Sequence, residues 1–140
     1  MSYLGTTQTL FVKEVSNEGA YLDGHDLGEV FLPKQEIKHE LEAGDSISVF
    51  IFLDNANLAT ATIKKPHAQV GEYALLRVKE INSIGAFLDW GLEKDVLAPF
   101  NEQKPRMQEG HSYLVRLYLD NASQRICASN NFNRFLSKDE

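Results

Sequence analysis

The stretch Gly85-Ala86-Phe87-Leu88-Asp89 decides the fold, because a near copy, Gly19-Ala20-Tyr21-Leu22-Asp23, lies 66 residues earlier. The whole chain aligns with itself at this offset without a gap, which indicates a true duplication. We therefore predict two tandem domains over residues 1–65 and 70–134, followed by a tail over residues 135–140. Other matching segments are Val12-Lys13-Glu14 with Val78-Lys79-Glu80, and Leu53-Asp54-Asn55-Ala56 with Leu119-Asp120-Asn121-Ala122.

Each unit is predicted to hold five short strands. The clearest is the period-2 apolar stripe of Ile47, Val49, Ile51 and Leu53. A longer polar connection after the third strand, over residues 33–41, has room for a short helical turn. This pattern is typical of a five-stranded Greek-key barrel, so the predicted fold is all-β, with two tandem OB-fold barrels. A pair of SH3-like barrels is the alternative. The predicted strands cover 9–15, 19–23, 29–32, 47–53, 58–63, 73–82, 85–90, 95–98, 113–119 and 125–129.

Composition and missing motifs argue against several functions. The 140 residues are 43% hydrophobic, as in ordinary globular proteins, and no apolar run is long enough to span a membrane. The four histidines are scattered, no phosphate loop occurs, and Cys127 is the single cysteine. We therefore predict a cytoplasmic protein that is not an enzyme and has no metal, cofactor or small-molecule substrate. Cys127 is expected to be a buried structural thiol.

Charge separates the two units. The net charge of −6 argues against strong non-specific binding of nucleic acid. Residues 1–66 carry five lysines against ten acidic residues, whereas residues 67–140 carry nine basic residues, including all five arginines, against ten acidic ones. If phosphate is contacted, the second unit is therefore the better candidate.

The segment from Val78 to Ser129 resembles the RNA-binding domain repeated in ribosomal protein S1. Gly85-Ala86-Phe87-Leu88 and Arg125-Ile126-Cys127-Ala128-Ser129 carry this resemblance. More closely, the chain resembles the N-terminal part of the bacterial conserved virulence factor B family, through the segments 58–66, 85–95 and 130–136. That family is usually longer, with a third barrel and a winged helix, so the chain looks like a fragment or a shortened member.

The resemblance implies single-stranded RNA as the partner, held on one barrel face by an aromatic residue, an aspartate and an arginine. These roles fall on Phe87, Asp120 and Arg125 in the second unit. The first unit keeps only Tyr21 and Asp54, because Ala59 stands at the arginine position. Two further ligand positions of the family, an upstream aromatic and a histidine, are not matched in either unit.

Strand alternation supports part of this assignment. If Ala86 and Leu88 face the core, Phe87 points outward, where base stacking is worth roughly 1–3 kcal/mol. Arg116 and Tyr118 share an outward face and are further RNA candidates, with a solvated face as the alternative. Trp90 is either a rim stacking residue or a lid on the barrel mouth.

Phe50 and Phe52 occupy the corresponding outward positions of the first unit. We expect them to be buried against the other barrel or a protein partner. The predicted function is a non-catalytic module that binds single-stranded RNA with low sequence specificity, in post-transcriptional or virulence-type gene regulation. The alternative is a docking module for a ribosomal, polymerase or nuclease partner.

Overall fold

The computed structural model describes residues 3–54 and 56–132, and its chain divides into two compact units, Met1–Lys65 and Pro66–Glu140. The predicted tail over 135–140 lies outside the described residues. The first unit holds the strands β1 (Thr7–Ser16), β2 (Gly19–Asp23), β3 (Glu29–Pro33), β4 (Ser46–Leu53) and β5 (Ala59–Thr62). The second holds β6 (Tyr73–Ile81), β7 (Gly85–Asp89), β8 (Val96–Pro99), β9 (Ser112–Leu119) and β10 (Ile126–Ser129).

Both units are closed five-stranded barrels with the same topology. The first has the strand order β1-β2-β3-β5-β4, and the second has the equivalent order β6-β7-β8-β10-β9. The third and fifth strands run parallel, and the other pairs are antiparallel. This is the OB-fold arrangement, so the prediction of two tandem OB-fold barrels is confirmed.

Strand alternation builds each core. In β7, Ala86 and Leu88 are fully buried, while Phe87 between them is half-buried and faces outward. In β9, Val115 and Leu117 are fully buried in the same way. The side chains that fill the first core include Leu10, Val12, Leu22, Val30, Leu32, Val49, Ile51 and Ala61.

A short 3-10 helix follows the third strand of each barrel and is tied to the last strand by a glutamate. These helices span Lys34–Glu36 and Phe100–Glu102. The Glu36 Oε1 atom accepts a hydrogen bond from the Thr62 hydroxyl at 3.0 Å, and Glu102 Oε1 accepts one from Ser129 at 2.9 Å. The expected helical turn in the polar connection is therefore present in both units.

Candidate nucleic-acid interface

A row of outward side chains crosses four strands of the second barrel. Phe87 on β7 is paired with Leu97 on β8, which is paired with Cys127 on β10, and Cys127 is paired with Tyr118 on β9. Cross-strand partners point to the same face of a sheet, so these four residues share one outward surface. Phe87, Leu97 and Tyr118 are half-buried, whereas Cys127 is only 5% exposed between them. We call this the second-barrel row.

The structure thus places Phe87 and Tyr118 at the two ends of this row and adds Leu97, which was not predicted from the sequence. The signal was available: Val96 and Ala98 are buried, so alternation alone points Leu97 outward. Cys127 is buried as expected, although it lies on the outward side of β10 rather than in the barrel core.

Arg125 stands immediately before β10, two residues from Cys127 of the row. Its main chain closes the turn after β9, because the Asp120 amide donates to the Arg125 carbonyl at 2.8 Å. The Asp120 Oδ2 atom accepts hydrogen bonds from the Ser123 hydroxyl at 2.7 Å and the Ser123 amide at 2.9 Å. Asp120 therefore shapes the turn that presents Arg125. Direct contact between Asp120 and RNA stays a prediction.

The turn geometry corrects the assignment of Ala59 as the counterpart of Arg125. Ala59 pairs with Leu53, whereas Ile126 pairs with Leu119, so the second turn is one residue longer. The Asp54 amide donates to the Leu58 carbonyl, as the Asp120 amide does to Arg125. Leu58, which is 63% exposed, is therefore the true counterpart of Arg125. Asp54 itself accepts hydrogen bonds from the amides of Ala56 and Leu58 and holds this turn.

Arg116 lies on the same outward side of β9 as Tyr118 but is directed toward another strand. Its guanidinium carbon is 5.7 Å from the centroid of the Tyr73 ring, and Tyr73 is its cross-strand partner on β6. The strand β6 borders β9 on the side away from β10. Arg116 is thus at the flank of the second-barrel row rather than within it.

Trp90 is buried, which corrects its prediction as an RNA-stacking residue. The side chain is 5% exposed, and its indole N–H donates to the Lys94 carbonyl at 2.7 Å. A base cannot reach a ring face that is already covered. The alternative expectation, a lid at the end of the barrel, agrees with this burial.

We expect Trp90→Phe to lower the free energy of unfolding by at least about 1 kcal/mol, because the indole hydrogen bond to the Lys94 carbonyl is lost and the smaller ring fills the buried site less completely. RNA affinity should stay within experimental error of the wild type. Urea unfolding followed by circular dichroism, with a parallel RNA titration, checks both statements. A loss of RNA affinity at unchanged stability would restore the stacking role.

In the first barrel, the equivalent row contains Tyr21, Phe31, Thr60 and Phe52, again linked by strand pairing. The Tyr21 and Phe31 ring centroids are 5.3 Å apart. Phe31, like Leu97, was not predicted from the sequence, although its neighbours Val30 and Leu32 are buried and alternation points it outward. Glu14 pairs with Tyr21, as Glu80 pairs with Phe87 in the second barrel, so a carboxylate borders each row.

Phe50 is buried and does not form a partner surface. It is 1% exposed, and its cross-strand neighbours are Thr7 and Thr62. The expected burial of Phe50 is therefore present, but a side chain buried within its own chain offers no area to another protein, so its interpretation as a protein-docking residue is wrong. Phe52 is half-buried and belongs to the first-barrel row instead.

No group of three or more metal-ligating side chains is found among residues 3–54 and 56–132. The helices of this described part are all too short and too polar to cross a membrane.

Two closed five-stranded barrels, each with rings on one outward face, define a tandem OB-fold protein. The chain belongs to the S1 domain family, whose model matches residues 4–64 and 70–129. This match accounts for the internal repeat.

The predicted resemblance to conserved virulence factor B proteins is confirmed by curated relatives. The chain is 31% identical to the uncharacterized protein YitL of Bacillus subtilis over 103 residues, which is 72% of this chain and 34% of that protein. It is 31% identical to conserved virulence factor B of Staphylococcus haemolyticus over 123 residues, which is 81% of this chain and 41% of that protein. The chain thus spans less than half the length of these relatives.

A solved structure has the same fold. It is a multidomain protein with nucleic acid binding domains from Streptococcus pneumoniae, with a TM-score of 0.70 and 21% sequence identity. The match covers 97% of this chain and 48% of that chain.

Proposed function

We propose that the chain binds nucleic acid, specifically single-stranded RNA with low sequence specificity, through the second-barrel row. The observation that carries the proposal is the half-buried ring of Phe87, which faces outward beside Leu97 on a barrel strand. An aromatic ring in this position stacks on any base, since every base has a π-face. Membership in the S1 domain family and the likeness to a protein described by its nucleic acid binding domains support this choice.

Two arginines border the strands that carry the second-barrel row. Arg77 is the cross-strand partner of Asp89 on β7, and Arg125 precedes β10. A guanidinium group can bind a phosphate through two parallel hydrogen bonds, so both side chains are suited to phosphate. Base stacking with flanking phosphate contacts gives affinity without reading the sequence of the RNA. A role in post-transcriptional or virulence-type gene regulation follows as part of the same proposal, supported by the relatives named conserved virulence factor B.

The test is an anisotropy titration of the full chain with fluorescein-labelled oligouridylate over a series of KCl concentrations. We expect the affinity to fall with salt, and Arg125→Ala to reduce the slope of log affinity against log salt by about 0.7, the amount for one phosphate on a single strand.

Arg106→Ala is the matched control, because it removes the same charge elsewhere. The guanidinium carbon of Arg106 is 4.6 Å from the centroid of the Phe100 ring, and Phe100 follows the last residue of β8. Arg125 precedes β10, which runs parallel to β8, so the two arginines lie at opposite ends of these strands. The slope should not change in this variant. Equal changes of the slope in both variants would mean that only the net charge of the chain matters for RNA binding. No binding at low salt would contradict the proposed function.

A further inference from the structure

The first barrel carries apolar side chains at the positions where the second carries two arginines. Phe11 and Leu58 are 61% and 63% exposed. Phe11 pairs with Ser46 as Arg77 pairs with Ser112, and Leu58 closes its turn as Arg125 does. The first barrel therefore lacks the two guanidinium groups that would favour phosphate binding on the second barrel.

Phe11 and Leu58 extend the first-barrel row into a larger apolar surface. Val12 on β1 is the cross-strand partner of Leu22, the residue after Tyr21. Phe11 is the residue before Val12, so it lies beside the Tyr21 end of the row. Leu58 is two residues before Thr60, the row member between Phe31 and Phe52. We call these five side chains the first-barrel aromatic face: Phe11, Tyr21, Phe31, Phe52 and Leu58. An exposed apolar surface bordered by charged residues is characteristic of an interaction site.

Carboxylates border this face. Glu14 is the cross-strand partner of Tyr21, and Asp23 is the cross-strand partner of Glu29. Two carboxylates placed directly opposite each other repel, so the pair favours a cation between them. Lys13, whose Nζ is 3.6 Å from Glu29 Oε2, offsets part of this charge. The second barrel carries equivalent carboxylates, since Glu80 is the partner of Phe87 and Lys79 Nζ is 3.5 Å from Asp95 Oδ1, but it also carries Arg77 opposite Asp89. The first barrel has Phe11 at the position of Arg77, so its carboxylates are less fully offset, which disfavours phosphate and favours a basic ligand.

We propose that the first-barrel aromatic face binds an arginine- or lysine-rich segment of a protein partner. Guanidinium and ammonium groups are attracted to the faces of the Tyr21 and Phe31 rings. Arginine also pairs with carboxylates in bidentate geometry, which suits Glu14, Asp23 and Glu29. The alkyl stems of basic side chains cover apolar surface such as Phe11 while their charges stay in water. This face lies on the first barrel and the second-barrel row on the other, so either proposal can fail alone.

The experiment is an anisotropy titration of the full chain with a fluorescein-labelled oligoarginine peptide. Glu14→Gln combined with Asp23→Asn is expected to weaken binding about fivefold, through the loss of two partly exposed ion pairs. Asparagine keeps an acceptor for the His25 amide, which donates to Asp23 Oδ1 at 3.0 Å. Phe31→Leu, which leaves the charge unchanged, is expected to weaken binding about threefold by removing a cation–π contact.

Glu80→Gln combined with Asp89→Asn makes the same change of charge on the second barrel and should leave the peptide affinity unchanged. An equal loss in this control pair would show attraction to net charge alone and would overturn the proposal. No effect of Phe31→Leu would overturn it as well. If Tyr21→Ala weakened RNA binding as strongly as Phe87→Ala, this face would instead be an RNA site.

Discussion

Phe87→Ala is expected to weaken the binding of short oligouridylate and oligoadenylate about tenfold or more. The reason is that stacking contributes roughly 1–3 kcal/mol per base, and Phe87 is the aromatic residue at the β7 end of the row. The loss should be similar for both RNAs, because stacking does not read base identity. Anisotropy titrations at one low salt concentration measure the effect.

Phe87→Leu separates stacking from packing. Leucine keeps apolar contact with Leu97 on the neighbouring strand but has no ring, so its RNA affinity should fall nearly as far as that of Phe87→Ala. Tyr21→Ala is the matched change in the acidic first barrel and should have little effect on RNA. Full RNA affinity in Phe87→Leu would show that the ring is not a base platform.

Strand positions and the outward direction of Phe87 could be predicted because both depend on local alternation. The same rule applied to β3 and β8 points Phe31 and Leu97 outward, because Val30, Leu32, Val96 and Ala98 on either side of them are buried. These residues complete the two rows, so local alternation accounts for the outward positions of both.

Other features of the site were beyond local pattern. The burial of Trp90 depends on a hydrogen bond to the Lys94 carbonyl, which requires the path of the loop between β7 and β8. The burial of Phe50 was expected, but alternation cannot show that its own chain, rather than another protein, covers it. The counterpart of Arg125 was shifted by one position, because a gapless alignment cannot show that one turn is a residue longer.

The glycine that begins β7 allows β7 and β8 to pass close together, and both the barrel and the proposed RNA site depend on this close approach. An added Cβ at Gly85 would overlap the Ala98 carbonyl oxygen, and it would come within 3.0 Å of Leu97 Cδ1. Gly19 has the same relation to the Leu32 carbonyl oxygen and the Phe31 ring. In each barrel, therefore, the second strand passes close to the third because no side chain separates them, and the row residue of the third strand lies over the glycine.

Gly85→Ala is accordingly expected to lower the free energy of unfolding of the second barrel by about 3 kcal/mol, since a backbone oxygen cannot move aside as a flexible side chain can. Trp90 is the single tryptophan, so its fluorescence during urea unfolding follows this barrel.

Gly110→Ala is the control, because it replaces a glycine with a positive φ at a position where the added Cβ meets no other atom. Gly110 has a φ of +85° and no atom within 4 Å of an added Cβ, so alanine there should cost only about 1 kcal/mol. Equal losses in the two variants would mean that close strand approach is not what Gly85 provides. Under conditions where Gly85→Ala remains folded, RNA affinity should also fall, because the displaced β8 carries Leu97 away from Phe87. Gly110→Ala should bind RNA as the wild type does.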